Sequence, residues 1–210
     1  MEKKSTKQKQ DGFFMVLRED TNYETRLDEH QDFKRAMEEE GFINVETIPG
    51  DGKTTPFKDI WLNVQKTHRI YFVHDRVVDT NYLGVFGEFD IKLIGKLGSW
   101  FPSYSEGELL ETADLALRED NEKEAATAIF NVAVIYYYYH RAPIMMFERY
   151  LNSSNPEIRK GAIRAISFQL WPDCIPMLEK VIQKDPNEEV RVYAQEVLKD
   201  IQNLDIQELD

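Results

Sequence analysis

The sequence predicts an α+β chain, with a small mixed α+β unit over residues 13–104 followed by an all-α array of helical hairpins over 105–210. Three observations carry this. First, a helical phrase is written twice, as Asn155-Pro-Glu-Ile158-Arg159-Lys-Gly-Ala162-Ile-Arg-Ala-Ile166 and as Asn187-Glu-Glu-Val190-Arg191-Val-Tyr-Ala194-Gln-Glu-Val-Leu198. Ile158, Arg159, Ala162 and Ile166 map onto Val190, Arg191, Ala194 and Leu198 at one offset, 190 − 158 = 32 residues. A repeat of that length marks stacked helical hairpins. Second, short apolar runs before residue 105 are separated by turn-forming segments, the pattern of strands. Third, Ser105-Glu-Gly-Glu108 is a capping box that opens the helical part.

Taken in order, residues 1–12 are polar and Lys-rich and read as a frayed tail. Phe13-Phe-Met-Val-Leu17 reads as a buried strand and is followed by a polar connection. Phe33, Ala36 and Met37 have helical spacing, and Gly41 sits where a left-handed cap belongs, which predicts a helix over about 29–40. Ile43, Val45 and Ile48 support a second strand with imperfect alternation, and Pro49 to Pro56 is turn-rich. Ile60, Leu62 and Val64 alternate, as do Ile70, Phe72 and His74, with Lys66-Thr-His68 between them, a hairpin pattern. Phe57, Ile60, Trp61 and Val64 also satisfy helical spacing. Tyr82 to Gly87 looks irregular, and Phe89, Leu93, Ile94 and Leu97 before Gly98 predict a short capped helix. The unit therefore reads β-α-β-β-β-α.

Beyond Ser105, one helix is expected to about Leu117, and a second from Asn121 through Tyr136–His140. Pro143 suits the first turn of a third, ending near Leu151. Three apolar faces follow: Ile158, Ala162, Ile166, Leu170; then Ile175, Leu178, Ile182, with Asp173 as an expected N-cap; then Val190, Ala194, Leu198, Ile201.

The doubled phrase resembles a HEAT-like repeat. In that family a polar or Pro-containing turn precedes Ile/Val-Arg, an Ala three residues on, and an aliphatic. The resemblance implies that the small Ala lets two helices approach closely and that Arg159 and Arg191 reach a carboxylate of a neighbouring repeat. Asn121–Val134 is a worn third copy at an offset of 34, with Ala128 and Val132 in place but no arginine. HEAT-like proteins are mostly interaction scaffolds, although some bind DNA or act as bilin lyases, so the likeness speaks for architecture more than function.

Bulk chemistry narrows the classes. A net charge of −12 disfavours nucleic acid, whose binding rests on Lys and Arg neutralising phosphates, and fits a basic protein partner. One cysteine, Cys174, excludes an intrachain disulfide and suits a reducing, cytoplasmic setting. The N-terminus lacks the apolar stretch of a secretory signal, and no run approaches the ~18 apolar residues of a membrane span.

Several constellations bear on chemistry. Gly50-Asp-Gly52-Lys53-Thr54 looks like the tail of a phosphate-binding loop, but Thr47 stands where the motif needs Gly, so it reads as a turn. His68, His74, Asp75, Asp79, Glu88, Asp90 and Lys92 form the densest ionisable cluster. Asp90-Ile-Lys92 has the spacing of a metal-dependent nuclease half-site, yet the pair is expected at a helix start where that site wants a strand. No metal or cofactor is expected. Cys174 at a helix start reads as a small buried residue. Tyr136, Tyr137, Tyr138 and Tyr139 are the most unusual local feature. Four on one helix cover every side, which implies either a helix packed all round or a tyrosine-rich surface of the kind found in interface cores, with Arg141 and Arg149 as polar anchors. Trp100, Phe101 and Tyr104 form a second aromatic cluster, expected between the two halves. The features favour a non-enzymatic protein–protein interaction module whose helical half binds a partner, an inhibitor or immunity-type protein masking a basic enzyme being one version. The alternative is a hydrolase or nuclease with its site around His68, His74, Asp75 and Asp90.

Overall fold

The structure is a computed structural model that describes residues 12–18, 23–88 and 90–207. The expected tail before Gly12, Phe89, and residues 208–210 lie outside the described residues. The chain divides into two compact units, Met1–Tyr104 and Ser105–Asp210.

The first unit is a five-stranded antiparallel sheet with two helices. Its elements are β1 (Gly12–Val16), α1 (Tyr23–Glu39), β2 (Phe42–Ile48), β3 (Phe57–Asn63), β4 (His68–Asp75), β5 (Thr80–Gly87) and α2 (Ile91–Trp100). Strand order is β1-β5-β4-β3-β2. One face carries Met15, Trp61, Ile70, Phe72, Leu83 and Val85, on which Phe33 and Met37 of α1 and Leu93 and Leu97 of α2 form a single apolar core. Gly41 takes φ +77 after α1, as a left-handed cap requires.

Four expectations change here. The segment Tyr82–Gly87 is not irregular: β5 lies between β1 and β4, and its first six residues are buried on both faces, which erases the alternation that marks a half-exposed strand. Helix α1 starts at Tyr23, six residues earlier than its apolar spacing indicated. Gly98 lies inside α2, whose C-cap is Phe101, while Asp90 is the N-cap and accepts from the Lys92 and Leu93 amides. On β3 the core-facing residues are Asp59 and Trp61, opposite in phase to Ile60 and Leu62, and Val64 is exposed. A register shift between Asn44 and Glu46 explains the broken alternation of β2. Within this unit Phe101 joins the core, Arg18 lies over the Tyr104 ring at 4.7 Å, and Trp100 stays partly exposed.

The second unit is a run of helices: α3 (Glu106–Glu119), α4 (Glu122–Ile135), α5 (Arg141–Leu151), α6 (Pro156–Gln169), α7 (Ile175–Lys184) and α8 (Glu188–Gln207). They pair as hairpins α3–α4, α5–α6 and α7–α8, and α4, α6 and α8 stack in a row. The capping box at Ser105 forms with both reciprocal bonds. Asparagine opens each helix of the row: Asn121, Asn155 and Asn187 accept from the Glu124, Glu157 and Val190 amides. Helices α4 and α6 approach tightly at Gly161, where a Cβ would sit 3.1 Å from the Ala126 Cα.

The repeat arginines clamp the turns. Nη1 of Arg159 donates to the Ser153 and Ser154 carbonyls, both at 2.9 Å, and Nη1 of Arg191 donates to the Asp185 carbonyl at 2.7 Å. Ser153 and Asp185 each lie six residues before their arginine, so the contact repeats with the sequence. Arg159 also forks onto Asp185 of the next hairpin, Nε to Oδ2 at 2.7 Å and Nη2 to Oδ1 at 2.8 Å, with both side chains buried. Burial opposes ionisation of Asp185, but the hydrogen bonds from Arg159 and from the Asn187 amide outweigh it and hold the carboxyl below its ordinary value of 3.8. Other details differ from expectation. Asp173 sits in a 3₁₀ turn, Pro172–Cys174, and caps nothing. Leu170 is the left-handed C-cap of α6, and on α8 Val197 is buried where Leu198 was expected to be.

Two predictions follow from this packing. Because Asp185 is depressed in the folded state, its contribution to stability is complete above pH 3.8 and is lost as the pH falls through its lower folded value. Urea titrations from pH 5 to 2 should show that loss in the wild type and a smaller slope in Asp185→Asn. Gly161→Val would push a branched side chain into the Ala126 backbone and should cost about 1–3 kcal/mol, read as a lowered urea midpoint by circular dichroism.

Candidate functional site

The helical unit ends α4 at Ile135, so Tyr136–His140 form the α4–α5 connection and not a helical turn. The stop is tertiary in origin. The side-chain amide of Gln169, buried at the end of α6, donates to the Ala133 carbonyl and, at 2.7 Å, to the Tyr136 carbonyl. These are carbonyls a helix end leaves unpaired.

The four tyrosines then separate by role. Tyr136 is buried and stacks on His140, with centroids 5.1 Å apart. Burial, reinforced by the Glu106 carboxylate, pushes its phenol well above the usual tyrosine range. Tyr137 meets Tyr138 edge-on at 5.2 Å. Tyr139 leans on buried Trp171, edge-on at 5.6 Å, and Trp171 in turn packs on Phe147. Tyr138 and Tyr139 remain 48% and 55% exposed, and His140, Arg141 and Met145 are exposed beside them in sequence. The result is an aromatic surface propped from below by a tryptophan and a buried amide. Arg149 does not join it. Eight residues along α5 from Arg141, it pairs with Asp114 of α3 at 2.5 Å, and Asp114 also holds Arg118.

The ionisable cluster singled out in the first unit does not gather at one place: His68 lies near Asp90, whereas His74 and Asp75 lie at the other end of β4. His68 donates through Nε2 to the Glu88 carbonyl at 2.8 Å. His74 meets the Asn81 side-chain oxygen at 2.5 Å. His68 and His74 lie six residues apart on β4, about 20 Å along the strand backbone. Asp75 accepts from the Val77 amide in a turn, and Asp90 caps α2, where the hydrogen bond from the Leu93 amide holds it below the usual carboxylate value. Among the described residues no group of three His, Cys, Asp or Glu is placed to hold a metal ion. In the loop that resembles a phosphate cradle, the Lys53, Thr54 and Thr55 amides all point at the carboxylate of Asp51, so the chain fills that cradle itself. Burial pushes the Cys174 thiol up to about 12, which leaves it unreactive at neutral pH.

Sequence reasoning missed a pair. His30 of α1 sits 2.6 Å from Asp59 of β3, a fully buried carboxylate that also accepts from the Thr47 hydroxyl and has Lys34 at 3.8 Å. The His30 ring lies over Phe72. The available signal was the phase of β3: with Trp61 inward, Asp59 is inward too and needs a partner.

Gln169→Ala would strand two helix-end carbonyls. It should cost about 1–3 kcal/mol and speed amide exchange selectively across the α4–α5 connection, measured by mass spectrometry.

Comparison with known proteins found no match among curated proteins or solved structures. Among the described residues no helix is long and apolar enough to cross a membrane. A family described as HEAT repeats matches over residues 111–202. The C-terminal half of this chain is therefore a HEAT-like helical repeat, an architecture that generally serves protein interaction.

Proposed function

We propose that the protein is a non-enzymatic interaction module whose helical unit binds a basic protein partner through the surface centred on Tyr138 and Tyr139. The observation that carries this is the exposure of two tyrosines on a connection fixed from beneath by Gln169 and Trp171. A rigid tyrosine loses little conformational freedom on binding while supplying area and a hydroxyl, the character of interface hot spots. Arg141 and Met145 extend the same surface; Arg149, held by Asp114, supports α5 instead. Charge argues for the partner's sign. Residues 105–210 hold 20 acidic against 11 Lys and Arg residues, so a cationic partner is steered toward this unit. An inhibitor or immunity-type protein that masks a basic enzyme is the concrete form we favour.

Affinity capture of the tagged chain from native-host lysate tests this. One stoichiometric basic protein should be retained by the wild type, and Tyr138→Ala/Tyr139→Ala should weaken it at least about 30-fold, about 2 kcal/mol, with circular dichroism unchanged. Equal retention by the folded double variant would refute the surface, and an empty wild-type capture would refute the module.

A further inference from the structure

The turns that join α5 to α6 and α7 to α8 border an open cavity of about 330 Å³, within the range of roughly 300–1,000 Å³ typical of small-ligand sites. Its floor is apolar, made by Leu151 of α5 and by Met177 and Val181 of α7, with Leu151 and Val181 buried. The back wall is the Arg159–Asp185 pair. Lys180 and Lys184 rise from α7 on one rim, and Glu148 of α5 lines the cavity as well.

Charge gives the cavity its character. Lys180 and Lys184 are one helical turn apart, so their ammonium groups reach the same space. Neither pairs with a carboxylate among the described residues. Asp185 is already paired, each of its oxygens accepting from Arg159, whose charge offsets its own. The lining thus holds three cations, Lys180, Lys184 and Arg159, against Glu148 and Asp185. That is a net positive hollow over an apolar floor, on a chain of net charge −12.

We infer that this cavity binds an organic carboxylate with an apolar arm. The arm lies on Leu151, Met177 and Val181, and the carboxylate sits between the ammonium groups of Lys180 and Lys184. The apolar floor selects against inorganic anions, and the two lysines select against neutral amphiphiles. The same chemistry has two sources, a medium-chain fatty acid or the carboxy-terminus of a peptide ending in an apolar residue. The site shares no residue with the Tyr138–Tyr139 surface, so it stands or falls separately from it.

The test is calorimetric titration of the full chain with octanoate and with acetyl-Ala-Ala-Leu, using octanol and the amidated peptide as uncharged counterparts. Saturable binding tighter than about 1 mM is expected for at least one anion. The uncharged counterpart should bind at least about tenfold more weakly. So should the anion to Lys180→Gln/Lys184→Gln, whose exposed positions leave the fold unchanged, whereas Lys199→Gln should bind as the wild type does. Octanoate binding alone assigns the small-molecule source, peptide binding alone the chain terminus, and binding of both a carboxylate site open to either. The proposal is overturned if neither anion saturates, if the uncharged counterparts bind equally, or if the lysine double variant retains wild-type affinity.

Discussion

A buried guanidinium constrains the helical unit more than any other group. Once α6 carries Arg159 into the interior, its donors must all find acceptors, because a desolvated cation without them costs several kcal/mol. The solution fixes two turns together: the Ser153 and Ser154 carbonyls bend around the near side, and the Asp185 carboxylate is drawn in from the next hairpin. Asp185 then passes its own carbonyl to Arg191, which repeats the clamp 32 residues on. Arg159 and Asp185 also line the cavity between the two turns, so this chain of contacts forms part of its wall.

The opposite end of the hairpins solves a different problem. There α4 must stop before a run of tyrosines, and no glycine or proline within that run ends it. Gln169, the last residue of α6, and Trp171, two residues on, supply the amide and the ring on which the α4–α5 connection rests. Arginines anchor one end and a glutamine the other, so the exposed aromatic surface sits on a connection tied to α6. A solenoid unit is bound to its neighbours only, and such local clamps set which surfaces are rigid enough to recognise anything.

What was legible in the sequence is what repeats or caps locally. Arg159 and Arg191 announce themselves by period, Ser105–Glu108 by its reciprocal bonds, and Gly41 by its place after Met37. What was not legible depends on partners far along the chain. Strand β5 is buried on both faces and shows no alternation, so Tyr82–Gly87 gives no strand signal. The tyrosine run looks helical because Gln169, which ends the helix, lies 33 residues from Tyr136. His30 and Asp59 meet across 29 residues, and Arg149 is taken by Asp114 of another helix. Composition alone identified the tyrosines as unusual; only the fold separates buried Tyr136 from exposed Tyr138 and Tyr139.

The central claim is that Arg159 and Asp185 couple successive hairpins into one array. A double-mutant cycle on the full chain, with Arg159→Ala, Asp185→Ala and the pair, measures that coupling by urea denaturation at pH 7. The account predicts that each single change costs about 3–5 kcal/mol and that the double change costs far less than their sum, since each single change strands its partner in the interior. Additive losses, with a coupling below about 0.5 kcal/mol, would contradict it.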